Sequence, residues 1–319
     1  MQKSYFAAIW AGLYAIACLV WSLTGGYPAG TGDIENSLNP IRTIPAGTLA
    51  PIAAVLALAT AVMAFAISGR YSAKLHGVPR KAVLAFGWLM VALLLFVVPD
   101  IRLLMLAGYA PMLLIGGPLG MFDGKLEISS LFNLPLFHQM WCVLGGILLA
   151  RTLLAWQRGT STVESGQTDR IVRWGRVAAY VAAIIPSLYA VSRFAWLLGI
   201  PLGVSTEGLR ELRESGAVWA GAGLGAFAVV GSILTLGLVQ PWGTRMFGWR
   251  VPINLAFVPA TLVAIIVMQA SISFLSSLEM RELIGTTSFT VVPMAIWPLW
   301  SVGLFVAAVA YKRRRLAAA

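Results

Sequence analysis

Charged residues are scarce in this sequence of 319 residues, and acidic residues are the scarcest of them. Only 12 residues are Asp or Glu and 23 are Lys or Arg, so 11% of the chain is charged, against about 25% in an ordinary soluble domain. Hydrophobic residues account for 59%, and the mean hydropathy is +0.84. A soluble domain of this length could not bury so much apolar surface. The lack of charge therefore excludes a soluble globular protein and predicts an all-α membrane protein.

Residues that build metal and catalytic sites are also few. The chain has two histidines and two cysteines, and Cys18 and Cys142 lie far apart inside apolar segments, as small packing residues do. There is no Walker loop, HExxH motif or GxSxG motif. The sequence therefore predicts no metal site and no cofactor, and an enzymatic activity is the less favoured interpretation.

Eight segments are long and apolar enough to cross a bilayer as helices. A helix needs about 20 apolar residues to cross roughly 30 Å of hydrocarbon. The apolar runs are continuous, whereas the strands of a membrane barrel would alternate. The predicted spans are residues 5–24, 47–68, 82–99, 134–156, 177–199, 217–239, 253–278 and 289–311.

Basic residues concentrate on one side of this arrangement. Cytoplasmic loops of membrane proteins carry an excess of Lys and Arg. With the N-terminus in the cytoplasm, 15 of the 23 basic residues and only two of the 12 acidic ones fall inside. The sequence therefore predicts a multi-pass plasma-membrane protein with both termini cytoplasmic. The pI of about 10.2 follows from this topology and does not indicate nucleic-acid binding, while the basic rim suits anionic membrane lipids.

The apolar segment Leu103–Gly120 does not fit this count as a further full span. A span there would move four basic residues of the preceding loop to the outside. Pro111 and Pro118, together with four glycines, would also interrupt a straight helix. The segment is therefore predicted to be a re-entrant or interfacial helix on the outer side. A ninth span that locally violates the charge rule is the alternative.

The two halves of the chain resemble each other. Tyr5–Leu23 aligns without gaps with Tyr180–Leu198, and further matches follow in the same order, at Pro28 and Gly30 with Pro201 and Gly203 and at two later places. Four spans in each half give both halves the same orientation, so they form parallel repeats. The predicted division is a first four-helix repeat over 1–158 with the insertion 103–120, a cytoplasmic linker over 159–176, and a second repeat over 177–319.

Polar residues inside the spans are the candidates for a functional site. Arg193 lies in the fifth span, where an arginine costs about 2.5–3.5 kcal/mol at the helix centre. It is expected to anchor an anionic group in an outward-facing polar cavity, and to approach Asp100 or, as second choice, Glu279. The structural alternative is that Arg193 reaches the outer headgroups or forms a purely structural ion pair. The candidate ligand-binding residues are Arg193, Tyr189, Asp100, His138, Gln139, Gln269 and Tyr14.

Three blocks in the second half resemble a group of bacterial polytopic membrane proteins. They are Tyr189–Gly203 (YAVSRFAWLLGIPLG), Leu234–Gly243 (LTLGLVQPWG) and Trp297–Arg314 (WPLWSVGLFVAAVAYKRR). The resemblance implies a bacterial inner-membrane location and no assigned activity. A cysteine pair is frequent in the second cytoplasmic loop of that group, but this chain has Val163–Gln167 there, so a metal or redox role of the loop does not carry over.

Three classes of function remain open. The first is a transporter, or a protein that binds a lipid or an anionic small molecule in the polar cavity. The second is a non-catalytic membrane subunit, whose helices pack against another membrane protein of an envelope or export assembly. The third is a membrane enzyme acting on a lipid-linked substrate, in which Asp100 and His138 serve as acid and base.

The topology can be tested by labelling single cysteines in intact cells after Cys18 and Cys142 have been replaced. A cysteine at position 74 should be protected from a membrane-impermeant maleimide, because the loop around residue 75 is predicted to be cytoplasmic. A cysteine at position 210 should be labelled and serves as the control. Labelling of position 74 from outside would contradict the eight-span topology.

Overall fold

The computed structural model of the protein describes residues 5–33, 39–69, 75–116, 133–160, 166–246, 248–276 and 295–317. Most of these residues are helical, with turns between the helices and one two-stranded hairpin. In chain order the helices are α1 (Phe6–Thr24), α2 (Ala46–Ser68), α3 (Gly77–Ala92), α4 (Arg102–Gly116), α5 (Leu134–Thr160), α6 (Gly166–Leu197), α7 (Thr206–Glu214), α8 (Ala217–Gly237), α9 (Ile253–Ser276) and α10 (Trp297–Ala317). The strands β1 (Arg245–Met246) and β2 (Trp249–Arg250) lie between α8 and α9.

Seven of the described helices are long and apolar enough to cross a membrane: α1, α2, α3 with its π-helical extension Leu93–Val97, α5, α6, α8 and α9. Many large apolar side chains on them are exposed, as is expected of a surface that faces lipid. The chain is therefore a multi-pass helical membrane protein. The predicted eighth span, 289–311, begins outside the described residues, and its described part belongs to α10, which ends with Lys312–Arg315.

The described chain divides into two compact units. The first comprises residues up to Leu103 together with Leu126–Val163, and the second comprises Leu104–Lys125 and Glu164–Ala319. The predicted insertion 103–120 lies partly outside the described residues. Its described part belongs to α4, whose residues from Leu104 onward group with the second unit. The division into two repeats remains a prediction.

In the first unit α1 packs against α2 and α5, and α5 also packs against α2 and α3. Small residues permit close contact: a Cβ added at Gly145 of α5 would lie 2.1 Å from the ring of Trp10 on α1. That ring is itself fixed, because its Nε1 donates a hydrogen bond to the carbonyl of Trp141 over 3.1 Å. The core formed here includes Trp10, Ala11, Tyr14, Cys18 and Cys142.

In the second unit α6 packs against α8 and α10, and α9 packs against α10. Alanines fill much of this core, and Ser301 of α10 donates a hydrogen bond to the carbonyl of Ala264 on α9 over 2.7 Å. Short polar side chains and small residues are typical of helix contacts within a bilayer, where apolar surface alone gives no preference for protein over lipid.

The contact between α1 and α5 predicts opposite effects for two glycine substitutions. Gly145→Ala should destabilise the protein by about 1–3 kcal/mol, because the fixed ring of Trp10 occupies the space of the new methyl group. Gly12→Ala on α1 is the matched control, since nothing lies within 4 Å of its Cβ position and alanine favours a helix by about 1 kcal/mol. Melting temperatures in detergent should fall for the first variant and be unchanged or raised for the second. Equal effects would contradict the packing.

Candidate functional site

Arg102 forms the centre of a buried polar network in the first unit. Its Nε donates to both carboxylate oxygens of Asp100 over 3.0 Å, and its Nη2 donates to Asp100 Oδ2 over 2.6 Å. On its other side the guanidinium forms an ion pair with Asp33, including a hydrogen bond of 3.2 Å from Nη1 to Oδ1. Both carboxylates are almost fully buried, at 3% and 1% side-chain exposure. The Arg102 guanidinium therefore joins Asp33, which precedes α2, to Asp100, which follows α3.

The chain positions this network through local turns. The Asp100 carboxylate accepts the backbone N–H of Arg102 over 2.9 Å and so begins α4 in the manner of a helix cap. Gln139 of α5 binds Asp100 at two points: its Nε2 donates to Oδ2 over 2.8 Å, and its Oε1 accepts the backbone N–H over 3.2 Å. Burial opposes the charge on Arg102, but its hydrogen bonds with Asp100 and Asp33 outweigh this and raise its pKa.

A second buried cluster in the first unit surrounds His138, the neighbour of Gln139 on α5. The hydroxyl of Tyr14 lies 2.8 Å from His138 Nε2 and 3.1 Å from the hydroxyl of Tyr27. The thiol of Cys142 is 3.6 Å from both Tyr14 Oη and His138 Nε2. The rings of Trp21 and Tyr27 meet the imidazole edge-on at 5.7 and 5.3 Å. His138 is thus enclosed by aromatic rings, and its Nδ1 is buried without a hydrogen-bond partner among the described residues.

Arg193 lies in the second unit and contacts rings instead of an acid. Its Cζ is 4.5 Å from the centre of the Tyr189 ring and 4.1 Å from that of Trp196, both on α6. Its Nε is buried without a hydrogen-bond partner in the described part of the chain. The backbone of α8 comes close at two glycines, since a Cβ at Gly221 or Gly225 would lie 3.4 or 3.2 Å from the Arg193 side chain. The site is therefore a half-buried arginine whose guanidinium lies against two aromatic rings and whose aliphatic stem lies against two glycines of α8.

Tyr109 and Gln269 are two further polar residues of the second unit, one half-buried and one buried. The Tyr109 phenol on α4 lies within electrostatic range of Tyr189 and Arg193; burial and Tyr189 raise its pKa, and Arg193 opposes the rise. Gln269 on α9 is buried, and its Nε2 contacts Ser273 Oγ at 3.4 Å, while its Oε1 has no partner among the described residues.

The structure brings the predicted site residues together in pairs. Tyr14 joins His138 and Asp100 joins Gln139 in the first unit, and Arg193 joins Tyr189 in the second. The structure shows Arg102 and Gln139, both in the first unit, holding the Asp100 carboxylate, and the ion pair of Arg193 with Asp100 remains a prediction. Glu279, the second expected partner, lies outside the described residues.

Sequence reasoning missed Arg102, Asp33 and Tyr27. Arg102 is absent from the candidate site residues, although the spacing Asp100-x-Arg102 after a span was a usable signal. An acid at such a position can accept a backbone N–H at the start of the next helix and at the same time pair with the side chain of a cation two residues later. Nothing in the sequence indicated that Asp33 lies near the end of α3 or that Tyr27 lies near the start of α5.

A groove of about 530 Å³ lies on the first unit beside α2 and α3. Its lining is apolar and includes Val55, Leu58, Val62 and Val83. It suits an acyl chain, as any lipid-facing groove does, and it is not the polar cavity that the sequence predicts at Arg193.

Comparison of the chain with protein families, curated proteins and solved structures found no match.

Removing the guanidinium of Arg102 should destabilise the protein far more than removing an exposed one. Arg102→Met leaves two buried carboxylates uncompensated, which typically costs about 3–5 kcal/mol. Arg210→Met is the control, because Arg210 is 67% exposed and pairs with Glu207 and Glu214 on the surface of α7, where a pair contributes up to about 1 kcal/mol.

Unfolding by dodecyl sulfate in mixed micelles would measure both free energies. Adding Asp33→Asn and Asp100→Asn to Arg102→Met should recover part of the loss, since the uncompensated charges are then gone. An Arg102→Met loss no larger than that of Arg210→Met would show that the network contributes little.

Proposed function

We propose that this membrane protein is a transporter or binding protein that holds an anionic small molecule or lipid headgroup at Arg193. The proposal rests on the lack of a polar partner for the Arg193 guanidinium in the part of the chain that the structure describes. This group has no hydrogen bond or ion pair among the described residues, although it lies within a membrane-length helix. A cation in that position is costly unless a partner compensates it.

Tyr189 and Trp196 compensate Arg193 only in part. A cation on an aromatic ring gains about 0.5–2 kcal/mol, depending on how far it is desolvated. The rings offer no strong acceptor for the N–H groups, however, and a guanidinium has five of them. A carboxylate or phosphate would supply two oxygens in the geometry that suits this fork.

Gly221 and Gly225 support the same proposal. They allow α8 to approach the aliphatic part of the Arg193 side chain: a Cβ at Gly225 would lie 3.2 Å from Arg193 Cβ, which is tight, and one at Gly221 would lie 3.4 Å from Arg193 Cδ. The aromatic rings on one side and the glycines on the other restrict the arginine to few rotamers. A restricted guanidinium loses less entropy when it binds an anion than a freely mobile one would.

The enzyme alternative is weakened by the partners of Asp100 and His138. Asp100 is held by Arg102 and Gln139, so its carboxylate is not available as an acid or base without breaking an ion pair. His138 is enclosed by Tyr14, Trp21 and Tyr27. The alternative of a non-catalytic subunit that packs against another membrane protein predicts no anion binding at all, and the same experiment therefore tests it.

We further propose eight spans arranged as two parallel repeats, with α10 as the last span. The support is the packing pattern within each unit: α1 contacts α2 and α5 as α6 contacts α8 and α10, and α3 contacts α5 as α9 contacts α10. The aligned glycines Gly30 and Gly203 also share a left-handed backbone, with φ of 62° and 76°. The side of the membrane on which the termini lie remains the one predicted from charge.

The anion site can be tested by thermal stabilisation of the purified protein in detergent. Inorganic phosphate, citrate, glutamate and lysophosphatidylglycerol would be the probes. A ligand at ten times its Kd stabilises the folded state by about 1.4 kcal/mol, so at least one probe should raise the melting temperature by a few degrees. Arg193→Gln should abolish that rise, because the amide cannot pair with an anion.

Arg151→Gln is the matched control for this experiment. Arg151 is also an arginine within a membrane-length helix, but it is exposed on α5. Its removal should leave the ligand-induced rise intact. A rise that persists in Arg193→Gln would place the anion elsewhere, and no rise with any of the four probes would contradict the proposal.

A further inference from the structure

The hairpin between α8 and α9 places two arginines opposite each other. Arg245 of β1 pairs in register with Arg250 of β2, and Met246 pairs with Trp249. Paired residues of neighbouring strands share one face of the sheet, and successive residues alternate between faces. The arginines therefore lie on one face of the hairpin and the two apolar residues on the other. All four side chains are exposed, Trp249 by 59% and Met246 by 41%.

Like charges directly opposite each other destabilise a strand pair, so this arrangement calls for a counterion. The two neighbouring stretches of sequence do not supply one: residues 238–252 contain no Asp or Glu, and neither do residues 297–319. Within the part of the chain that the structure describes, neither Arg245 nor Arg250 forms an ion pair or a side-chain hydrogen bond. Two exposed guanidinium groups side by side can hold the oxygens of one phosphate through charge-assisted hydrogen bonds.

The C-terminal end of α10 holds the hairpin in place. Tyr311 donates a hydrogen bond to the carbonyl of Gly243 over 3.0 Å, Arg314 donates to that of Leu238 over 2.6 Å, and Arg315 donates to that of Val251 over 3.0 Å. These two arginines are thus engaged with backbone carbonyls at both ends of the loop. They anchor the hairpin, whereas the side chains of Arg245 and Arg250 have no hydrogen bond or ion pair within the described residues.

The position of the hairpin limits what the anion can be. α8 ends at Gly237 and α9 begins at Ile253, and both helices are of membrane length. A loop of 15 residues between two such helices stays close to the membrane surface. Tryptophan is enriched at that surface, where its ring sits at headgroup level. The apolar face of the hairpin therefore suits the acyl region, and its arginine face suits a phosphate.

We propose that Arg245 and Arg250 form a binding site for the phosphate of an anionic phospholipid, while Trp249 and Met246 on the opposite face of the hairpin contact the acyl region of the surrounding lipids. The two guanidinium groups hold one phosphodiester between them, which relieves their mutual repulsion. A lipid of net charge −1, such as phosphatidylglycerol, is favoured over phosphatidylcholine, whose choline would bring a third cation to the site. The site is separate from Arg193 and does not depend on the function proposed there.

Native mass spectrometry of the full chain, released from detergent after incubation with equal amounts of phosphatidylglycerol and phosphatidylcholine, tests this site. The measured quantity is the ratio of the two lipids in the first bound adduct. The variant Arg245→Gln with Arg250→Gln should lower the ratio by about fivefold to thirtyfold, because each basic residue near an anionic surface contributes about fivefold. The variant Arg210→Gln with Arg213→Gln removes the same charge from exposed positions on α7 and should leave the ratio unchanged.

Three further arms make the outcome decisive. If the double glutamine variant has a lowered melting temperature, the single variants Arg245→Gln and Arg250→Gln replace it, each with an expected fall of about fivefold. Arg193→Gln should retain the wild-type ratio, which separates this site from the proposed anion site. Inorganic phosphate in excess should not displace the phosphatidylglycerol adduct, because only the lipid has acyl chains that hold it in the detergent micelle around the site. An unchanged ratio in the hairpin variants, an equal fall in the α7 control, or displacement by inorganic phosphate would overturn the proposal.

Discussion

The ion pairs of Arg102 with Asp33 and Asp100 are the interaction on which the first unit depends. Two carboxylates and one guanidinium are buried together, and burial is tolerable only while each charge compensates the others. Because the acids lie in segments that follow α1 and α3, the cation fixes those segments to each other and, through Gln139, to α5. The same constraint holds Tyr27 near His138, since Tyr27 lies only six residues before Asp33 on the segment that the ion pair immobilises.

The predicted alignment of the two halves relates the residues of the His138 cluster to those of the Arg193 site. It pairs Tyr14 with Tyr189 and Trp21 with Trp196, and it places Arg193 opposite Cys18. In the first unit the Tyr14 hydroxyl binds His138 and the Trp21 ring meets the imidazole edge-on. In the second unit the equivalent tyrosine and tryptophan contact a guanidinium. By this predicted alignment, one Tyr–Trp pair contacts an imidazole from α5 in the first unit, and its counterpart contacts an arginine of its own helix in the second.

The sequence was sufficient to predict the membrane class, because length and hydropathy alone decide whether a helix can cross a bilayer. Seven spans are confirmed by helices of sufficient length and apolarity. Polarity at membrane depth also singled out Tyr14, His138, Asp100 and Gln139, which the structure joins in two hydrogen-bonded pairs. The partner of Asp100 could not be predicted in the same way. Hydropathy gives the depth of a residue along its own helix, but it does not show which other helices that helix contacts. Arg102, two residues after Asp100, was therefore overlooked in favour of Arg193, which lies at a similar depth on another span.

The arginines of this chain differ in how the protein compensates them, and this difference decides where a ligand can bind. Arg102 has two carboxylates, and Arg210 has Glu207 and Glu214, so an external anion at either position would have to compete with an acid of the chain itself. The exposure of an arginine therefore does not by itself show that it can bind an anion, because Arg210 is exposed but already paired with two glutamates. An anion gains most where the chain provides a cation but no acceptor, since there it removes an existing electrostatic cost instead of replacing an existing bond. Within the described residues, Arg193 and the facing pair of the hairpin meet that condition.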